Sequence, residues 1–143
     1  MRLVVVDASV AMKWCLPATT EDLVAEAEAM LRDYQVGSAR FLVPDLFWPE
    51  LGNALWKAVW KEKTTSDRAE ISYQKIVELA IPTATTAELV PAALKMAMTY
   101  GRTVYDSLYV ALAVHAQAEL VTADERLANA LAARFPVKWL GAF

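Results

Sequence analysis

Four acidic residues, far apart along the chain, are the side chains best suited to metal-dependent chemistry. They are Asp7, Glu50, Asp106 and Asp124. Ligands that offer only oxygen suit hard ions such as Mg²⁺ or Mn²⁺ rather than zinc. Two such ions, roughly 3.5–4 Å apart, can activate a water molecule and stabilise the charge on a phosphate under attack. If folding brings these four carboxylates together, the pattern predicts a phosphodiester hydrolase.

Three of these acids also have purely structural explanations. Asp124 can begin the last helix, and Thr122 with Glu125 has the spacing of a capping box. Asp106 opens an apolar helical segment, where a carboxylate interacts favourably with the helix dipole. Asp7 can start a short turn toward Lys13. Only their convergence would distinguish the chemical role, because clustered carboxylates repel one another unless cations lie among them.

Glu50 belongs to a polar stripe on a helix predicted over residues 45–61. At about 100° per residue, Glu50, Asn53, Lys57 and Lys61 fall on one face. Nearly all its other residues are apolar, including the tryptophans Trp48, Trp56 and Trp60. A helix of this kind is expected to be covered on most sides. Burial in the core is the simpler interpretation of the three tryptophans, and contact with a partner protein is the alternative. The polar stripe is then the one uncovered face of this helix, and it faces either solvent or a substrate.

The elements that must position these residues alternate between short apolar runs and longer helical patterns. Strands are predicted at 3–6, 41–43, around Ile81, at 119–121 and at 137–140. Helices are predicted at 20–34, 45–61, 66–79, 85–100, 105–117 and 124–134. Ser66 is expected to cap the third, and the fourth has capping-box spacing at 85–88 and a stop at Gly101. Strands separated by helices predict a three-layer α/β/α sandwich with a mostly parallel sheet of about five strands. The length of 143 residues predicts a single domain over 1–143.

Two of the acids come at or near the ends of predicted strands. Asp7 directly follows the first strand, and Asp124 lies three residues after Val121. Ligand sites in open parallel sheets gather at the carboxyl ends of the strands. The sequence therefore predicts that Asp7 and Asp124 lie on the same edge of the sheet.

Composition narrows the remaining possibilities. The mean hydropathy is +0.27, yet no apolar run approaches the roughly 20 residues of a membrane-spanning helix. Asp7 interrupts the first apolar stretch, so this stretch makes a poor signal peptide. We therefore expect a cytoplasmic protein that is not attached to a membrane. The surplus of apolar residues suggests a dimer interface or a bound partner. The net charge of −3 gives no positive support for nucleic-acid binding.

Counts of reactive residues exclude several other chemistries. Cys15 is the only cysteine, which excludes an internal disulfide and a cysteine-based zinc site and favours a buried, inert thiol. His115 is the only histidine, so catalysis by a histidine pair is excluded. No P-loop and no GxGxxG motif occurs, so nucleotide hydrolysis and dinucleotide binding lack their motifs.

Four segments, in order, give the chain a family resemblance. VVDASVAMKW (5–14), PDLFWPELGNAL (44–55), YDSLYVALA (105–113) and LVTADERL (120–127) resemble PIN-domain proteins, especially the VapC-type toxins of toxin–antitoxin pairs. The resemblance covers essentially the whole chain. It implies an endoribonuclease that leaves 5′-phosphate ends, forms a homodimer and is neutralised by a small antitoxin.

The same resemblance implies roles for individual residues. Asp7, Asp106 and Asp124 would bind Mg²⁺ or Mn²⁺ directly, and Glu50 would complete the site. The supporting polar positions would be Ser9, Asn53 and Thr122. Independently of the resemblance, Lys13, Lys57 and Arg102 are basic residues that could contact the phosphates of an RNA substrate, although most basic side chains on a surface are simply solvated.

Two other functions compete with a ribonuclease. One is a PIN-like module that binds RNA or protein without turnover, which the complete acidic set disfavours. The other is a hydrolase of small phosphate esters that uses Asp7 as a nucleophile, as haloacid-dehalogenase-like enzymes do. Those enzymes carry a second aspartate two residues later, where this chain has Ser9.

Overall fold

A computed structural model describes residues 2–142 and contains one five-stranded sheet. The strands are β1 (Arg2–Val6), β2 (Ala39–Pro44), β3 (Thr83–Ala84), β4 (Glu119–Thr122) and β5 (Val137–Trp139). Their order is β3-β2-β1-β4-β5, and every neighbouring pair is parallel. The predicted five-stranded, mostly parallel sheet is confirmed.

The central strand β1 shows why the sheet must be covered on both faces. Successive side chains of a strand point to opposite faces, yet Val4, Val5 and Val6 are all fully buried. A continuous run of buried β-branched residues is typical of a parallel strand between two helical layers. The apolar run at the start of the chain therefore becomes the middle of the fold.

Within the described residues 2–142, seven α-helices supply the covering layers. They are α1 (Ala8–Cys15), α2 (Val24–Gln35), α3 (Phe47–Trp60), α4 (Ser66–Glu78), α5 (Val90–Tyr100), α6 (Val104–His115) and α7 (Glu125–Leu131). Short 3₁₀ turns lie at Ala87–Leu89 and Leu140–Ala142. Helix α1 contacts α2, α3 and α4, whereas α5 packs against α6, which contacts β1, β2 and β4. The predicted three-layer α/β/α sandwich is confirmed.

Several helix starts differ from the predictions. Helix α1 was expected to be only a turn, but it extends for two turns after Asp7. Helix α2 begins at Val24 rather than at residue 20, because Leu23 is left-handed with φ 58°. Thr65, not Ser66, caps α4 by accepting from the amide of Arg68.

The predicted capping box at 85–88 is not formed, although the end of the same helix is as expected. Thr86 Oγ1 donates instead to Asp45 Oδ1 at 2.7 Å, so this threonine links two loops and caps no helix. A 3₁₀ turn follows it before α5 begins. The predicted stop at Gly101 is confirmed, since this glycine adopts φ 71° at the end of α5.

Helix α3 is less covered than its composition predicted. Its buried residues are Phe47, Leu51, Leu55 and Ala58, which form a single face. Trp56 is 60% exposed and Trp60 is 74% exposed, with ring centroids 6.5 Å apart. Placing these two tryptophans in the core was therefore wrong. Periodicity alone cannot distinguish an apolar side chain covered by its own chain from one left open.

The sheet order locates the edge at which a site is expected. The chain runs outward from β1 through β2 to β3, then returns to the other side of β1 to form β4 and β5. The carboxyl ends of β1 and β4 therefore flank the point where the winding direction reverses. None of the helices over residues 2–142 is long and apolar enough to cross a membrane.

Candidate active site

Asp7 stands at the junction between β1 and α1. Its backbone N–H donates to the carbonyl of Val121 at 3.2 Å, which ties it to strand β4. Asp7 is the N-cap residue of α1, but its carboxylate makes no capping hydrogen bond. The side chain is consequently available to other groups at this edge of the sheet.

Two hydroxyl groups hold the Asp7 carboxylate in place. Thr122 Oγ1 donates to Asp7 Oδ2 at 2.6 Å, and Ser9 Oγ donates to the same oxygen at 2.9 Å. Each hydroxyl also accepts from the backbone of the loop after β4. Ser9 accepts from the Ala123 amide and Thr122 from the Asp124 amide, both at 3.0 Å. This network links β1, α1 and β4 into one unit, with Thr122 fully buried.

Asp106 and Asp124 lie on either side of one arginine. Arg102 Nη2 is 3.3 Å from Asp106 Oδ2 and 3.3 Å from Asp124 Oδ2. Asp124 also caps α7, because its Oδ1 accepts from the Leu127 amide at 3.2 Å. The prediction that Asp124 begins the last helix is thus confirmed, but capping uses only one of its two carboxylate oxygens. The capping box between Thr122 and Glu125 is not the arrangement that forms.

Glu50 extends from α3 into the same region and is held there by Tyr109, a residue that was not among the predicted site residues. Tyr109 Oη donates to Glu50 Oε1 at 2.7 Å, although 59 residues separate them. Tyr109 lies three positions after Asp106 on α6, so both side chains lie on neighbouring parts of one helix face. The spacing of three residues from Asp106 was the sequence signal that could have identified Tyr109. Because Tyr109 is almost completely buried, an aromatic residue at this position looks like any other core residue.

The pKa shifts show that these acids share one poorly solvated environment. Burial is the largest cause that raises the pKa of Asp7, Glu50 and Asp106 above the ordinary carboxyl value. Repulsion between the carboxylates raises these pKa values further. Asp106 raises the pKa of Asp7, and Asp124 raises that of Asp106. Asp7 and Asp106 both raise the pKa of Glu50. The hydroxyl donors and Arg102 act in the opposite direction. Burial and the two carboxylates Asp7 and Glu50 also raise the pKa of Tyr109.

The donor set fits a hard divalent ion, but the side chains are not arranged around one. Among residues 2–142, no three acidic, histidine or cysteine side chains lie close enough to hold a metal together. The Arg102 guanidinium instead neutralises two of the carboxylates. Four carboxylates brought near one another, with no nitrogen or sulfur donor among them, match the preference of Mg²⁺ and Mn²⁺.

The remaining predicted site residues lie around this centre. Asn53 and Lys57 are exposed on α3, one and two turns beyond Glu50. Lys13 forms ion pairs with Asp22 at 2.8 Å and Glu21 at 3.0 Å. The structure therefore brings together the four acids, Ser9, Thr122 and Arg102, and leaves the other three at the periphery.

Cys15 and His115 take no part in this cluster. Cys15 is half-buried on α1, and burial raises the pKa of its thiol to about 12. A thiol with so high a pKa is protonated and inert at neutral pH. His115 is exposed at the end of α6.

Comparison with known protein families decides the identity of this fold. The family model described as PIN domain matches residues 4–131, which is most of the chain and includes all four acids. The chain belongs to the PIN-domain family. The resemblance read from four short segments is confirmed at this level, and the haloacid-dehalogenase-like alternative is left without support.

Individual relatives of this PIN domain agree with the assignment. Ribonuclease VapC3 of Pyrobaculum aerophilum is 34% identical over 87 residues, which are 59% of this chain and 66% of that protein. The chain thus spans slightly less than two thirds of the curated relative that it matches. The crystal structure of PAE2754 from Pyrobaculum aerophilum has a TM-score of 0.72 at 21% identity, covering 99% of this chain and 85% of that one.

A second solved structure shares the fold at greater distance. A toxin–antitoxin complex from Klebsiella pneumoniae superposes with a TM-score of 0.61 at 12% identity, covering 94% of this chain and 95% of that chain. At such identities the two structural matches establish a common architecture for the PIN domain and nothing about its substrate.

Proposed function

We propose that this chain, as one domain over residues 1–143, is a metal-dependent endoribonuclease and the toxin of a VapBC-type pair. The observation that carries the proposal is that four carboxylates lie in one region at the reversal point of the sheet, close enough that their charges raise the pKa of Asp7, Glu50 and Asp106, although no three of them surround a common ion. Asp7 is fixed there by two hydroxyl donors and Glu50 by Tyr109. The similarity to Ribonuclease VapC3 supports RNA as the substrate.

Each side chain of the cluster has a distinct part in this proposal. Asp7, Asp106 and Asp124 would hold Mg²⁺ or Mn²⁺, with Glu50 completing the site directly or through water. When bound, the ion supplies a more acidic water and stabilises charge on the phosphate. Thr122 and Ser9 orient the Asp7 carboxylate, and such outer hydrogen bonds tune a metal site. Tyr109 similarly fixes Glu50 by donating to one of its oxygens.

Arg102 is the basic residue that pairs with two of the four carboxylates. Its guanidinium lies between Asp106 and Asp124, and its Nε is buried without a hydrogen-bond partner among the described residues. In this proposal Arg102 offsets the repulsion between these carboxylates, and Asp106 and Asp124 would hold the ion. An Arg102 guanidinium released from them would be able to contact a substrate phosphate, the role first predicted for it.

Partners and location follow from the same proposal. The structural similarity to a toxin–antitoxin complex supports a small antitoxin as the regulating partner. A homodimer is supported by an apolar stripe on α5 formed by Val90, Leu94 and Met98, which are 39%, 45% and 72% exposed. We place the protein in the cytoplasm, where its RNA substrate would be found.

A cleavage assay on single-stranded RNA tests the proposed function directly. With Mn²⁺ or Mg²⁺ we expect internal cleavage that yields 5′-phosphate ends. With EDTA we expect none, because the ion that would acidify the attacking water and stabilise charge on the phosphate is removed. Analysis of the product ends by ligation distinguishes these from 5′-hydroxyl ends. Cleavage that continues in EDTA, or 5′-hydroxyl products, would contradict the proposal. Metal-independent RNA binding without cleavage would favour the alternative of a binding module.

A further inference from the structure

A lysine-lined groove leads away from the acidic cluster. This groove has a volume of about 350 Å³ and runs between α1 and α3. Ser9, Ala123 and Asp124 line one end, which is the edge of the candidate active site. Lys57, Lys61 and Lys63 also line it and are called here the groove lysines.

The polar stripe of α3 forms one wall of this groove. Glu50 begins the stripe at the site, and Lys57 and Lys61 follow on the same face, one helical turn apart. At 1.5 Å per residue, the stripe from Glu50 to Lys61 extends for about 16 Å. It therefore continues well beyond the acids themselves.

The end of α3 adds the third groove lysine through a fixed backbone turn. The Lys63 amide donates to the Ala58 carbonyl at 2.8 Å, and the Glu62 amide donates to the Val59 carbonyl at 3.0 Å. Glu62 between them has φ 61°. These two bonds define a Schellman motif, with a glutamate in the left-handed position that glycine usually takes. The chain thereby reverses at Glu62, and Lys63 lines the groove instead of extending the helix.

The groove lysines are the uncompensated charges of this surface. Lys13 also lines the groove, but Glu21 and Asp22 pair with it. Over residues 2–142, no acidic side chain forms an ion pair with any of the three groove lysines. The net charge of −3 thus conceals a locally basic path. The two ends of the groove carry opposite charges: acidic side chains lie at the candidate active site, and the groove lysines lie farther along α3.

We propose that this groove binds the phosphate backbone of single-stranded RNA on one side of the bond that is cut. This inference rests on the proposed ribonuclease function and extends it to residues that were not selected as a set. Cations spaced along a groove bind a polyanion by releasing its counterions. The apolar floor, formed by Met12, Leu16, Ala54 and Ala58, suits the sugars and bases between the phosphates.

Salt dependence of RNA binding tests the groove separately from cleavage. The protein carries Asp7→Asn and is kept in EDTA, and the probe is a fluorescein-labelled single-stranded oligoribonucleotide read by anisotropy. The test variant is Lys57→Gln/Lys61→Gln/Lys63→Gln. The matched control is Arg32→Gln/Arg40→Gln/Lys95→Gln, which removes three exposed cations elsewhere. Circular dichroism confirms that both variants are folded.

We expect the slope of log K against log salt, which is negative, to become shallower by about 2 in the test variant, since each phosphate contact with a single strand contributes about −0.7. The control should keep the slope of the parent protein. Equal losses in both variants, or no loss in the test variant, would overturn the proposal. The proposal would also be overturned if polyglutamate displaced the labelled RNA as effectively as unlabelled RNA does. Cleavage by the unmodified protein is scored independently, so failure of the groove and failure of the proposed function are distinguishable.

Discussion

Asp7→Asn is expected to lower the rate of RNA cleavage by at least about 100-fold while leaving the domain folded. Loss of a residue that merely orients a metal ligand typically costs 10–100-fold, and Asp7 is proposed as a ligand itself. The asparagine can keep its side-chain oxygen where Thr122 and Ser9 donate. It also removes a negative charge from a position where burial raises the pKa of the carboxyl. The melting temperature of the metal-free variant should therefore equal or exceed that of the unmodified protein.

The matched control for this variant is Asp67→Asn. Asp67 is an exposed acid in the first turn of α4, on a helix that contributes none of the proposed ligands. It makes the same chemical change without touching the cluster, so its cleavage rate should remain that of the parent. Unimpaired cleavage by folded Asp7→Asn would end the proposed mechanism. If Asp7→Asn does not fold, Asp106→Asn provides the same comparison.

Arg102→Gln is expected to tighten Mn²⁺ binding by about fivefold. The metal must displace the guanidinium from Asp106 and Asp124, and breaking two partly exposed ion pairs costs about 1 kcal/mol in total. Without Arg102 that cost disappears. The same variant leaves the two carboxylates uncompensated, so the melting temperature of the metal-free protein should fall by about 3 °C.

Isothermal titration calorimetry with Mn²⁺ and thermal unfolding in EDTA measure these two effects. Arg32→Gln is the control, since it removes an exposed arginine from α2 without altering the cluster. Opposite changes in metal affinity and metal-free stability are the signature of an internal cation that competes with the metal. A weaker affinity for Mn²⁺ in Arg102→Gln would instead make Arg102 a supporting residue of the metal site.

The sheet could be predicted from the sequence because its central strands carry an unambiguous pattern. Val4, Val5 and Val6 form a continuous β-branched run, which is too short for a buried helix. The pattern of strands also predicted that Asp7 and Asp124 lie on the same edge of the sheet, and the structure adds that their strands, β1 and β4, are neighbours. Helix α1 was missed because an aspartate and a serine directly after a strand also predict a turn. Such local ambiguity is resolved only by packing of α1 against α2, α3 and α4.

The contacts within the site could not be predicted, because they join distant segments. The hydrogen bond from Tyr109 to Glu50 spans two helices, and the bridge from Arg102 to Asp124 spans 22 positions. Neither side chain differs locally from an ordinary core tyrosine or a surface arginine. The exposure of Trp56 and Trp60 was likewise beyond sequence reasoning, because hydrophobic periodicity reports the side of a helix and not what covers it.

The central claim is that three aspartates from separate parts of the chain share a divalent ion. Anomalous diffraction from crystals grown with Mn²⁺ tests it most directly, because the signal of manganese locates the ion independently of the protein atoms. We predict a peak within about 2.0–2.3 Å of carboxylate oxygens from Asp7, Asp106 and Asp124, with the Arg102 guanidinium displaced. Manganese bound elsewhere, with Arg102 still bridging Asp106 and Asp124, would contradict the account.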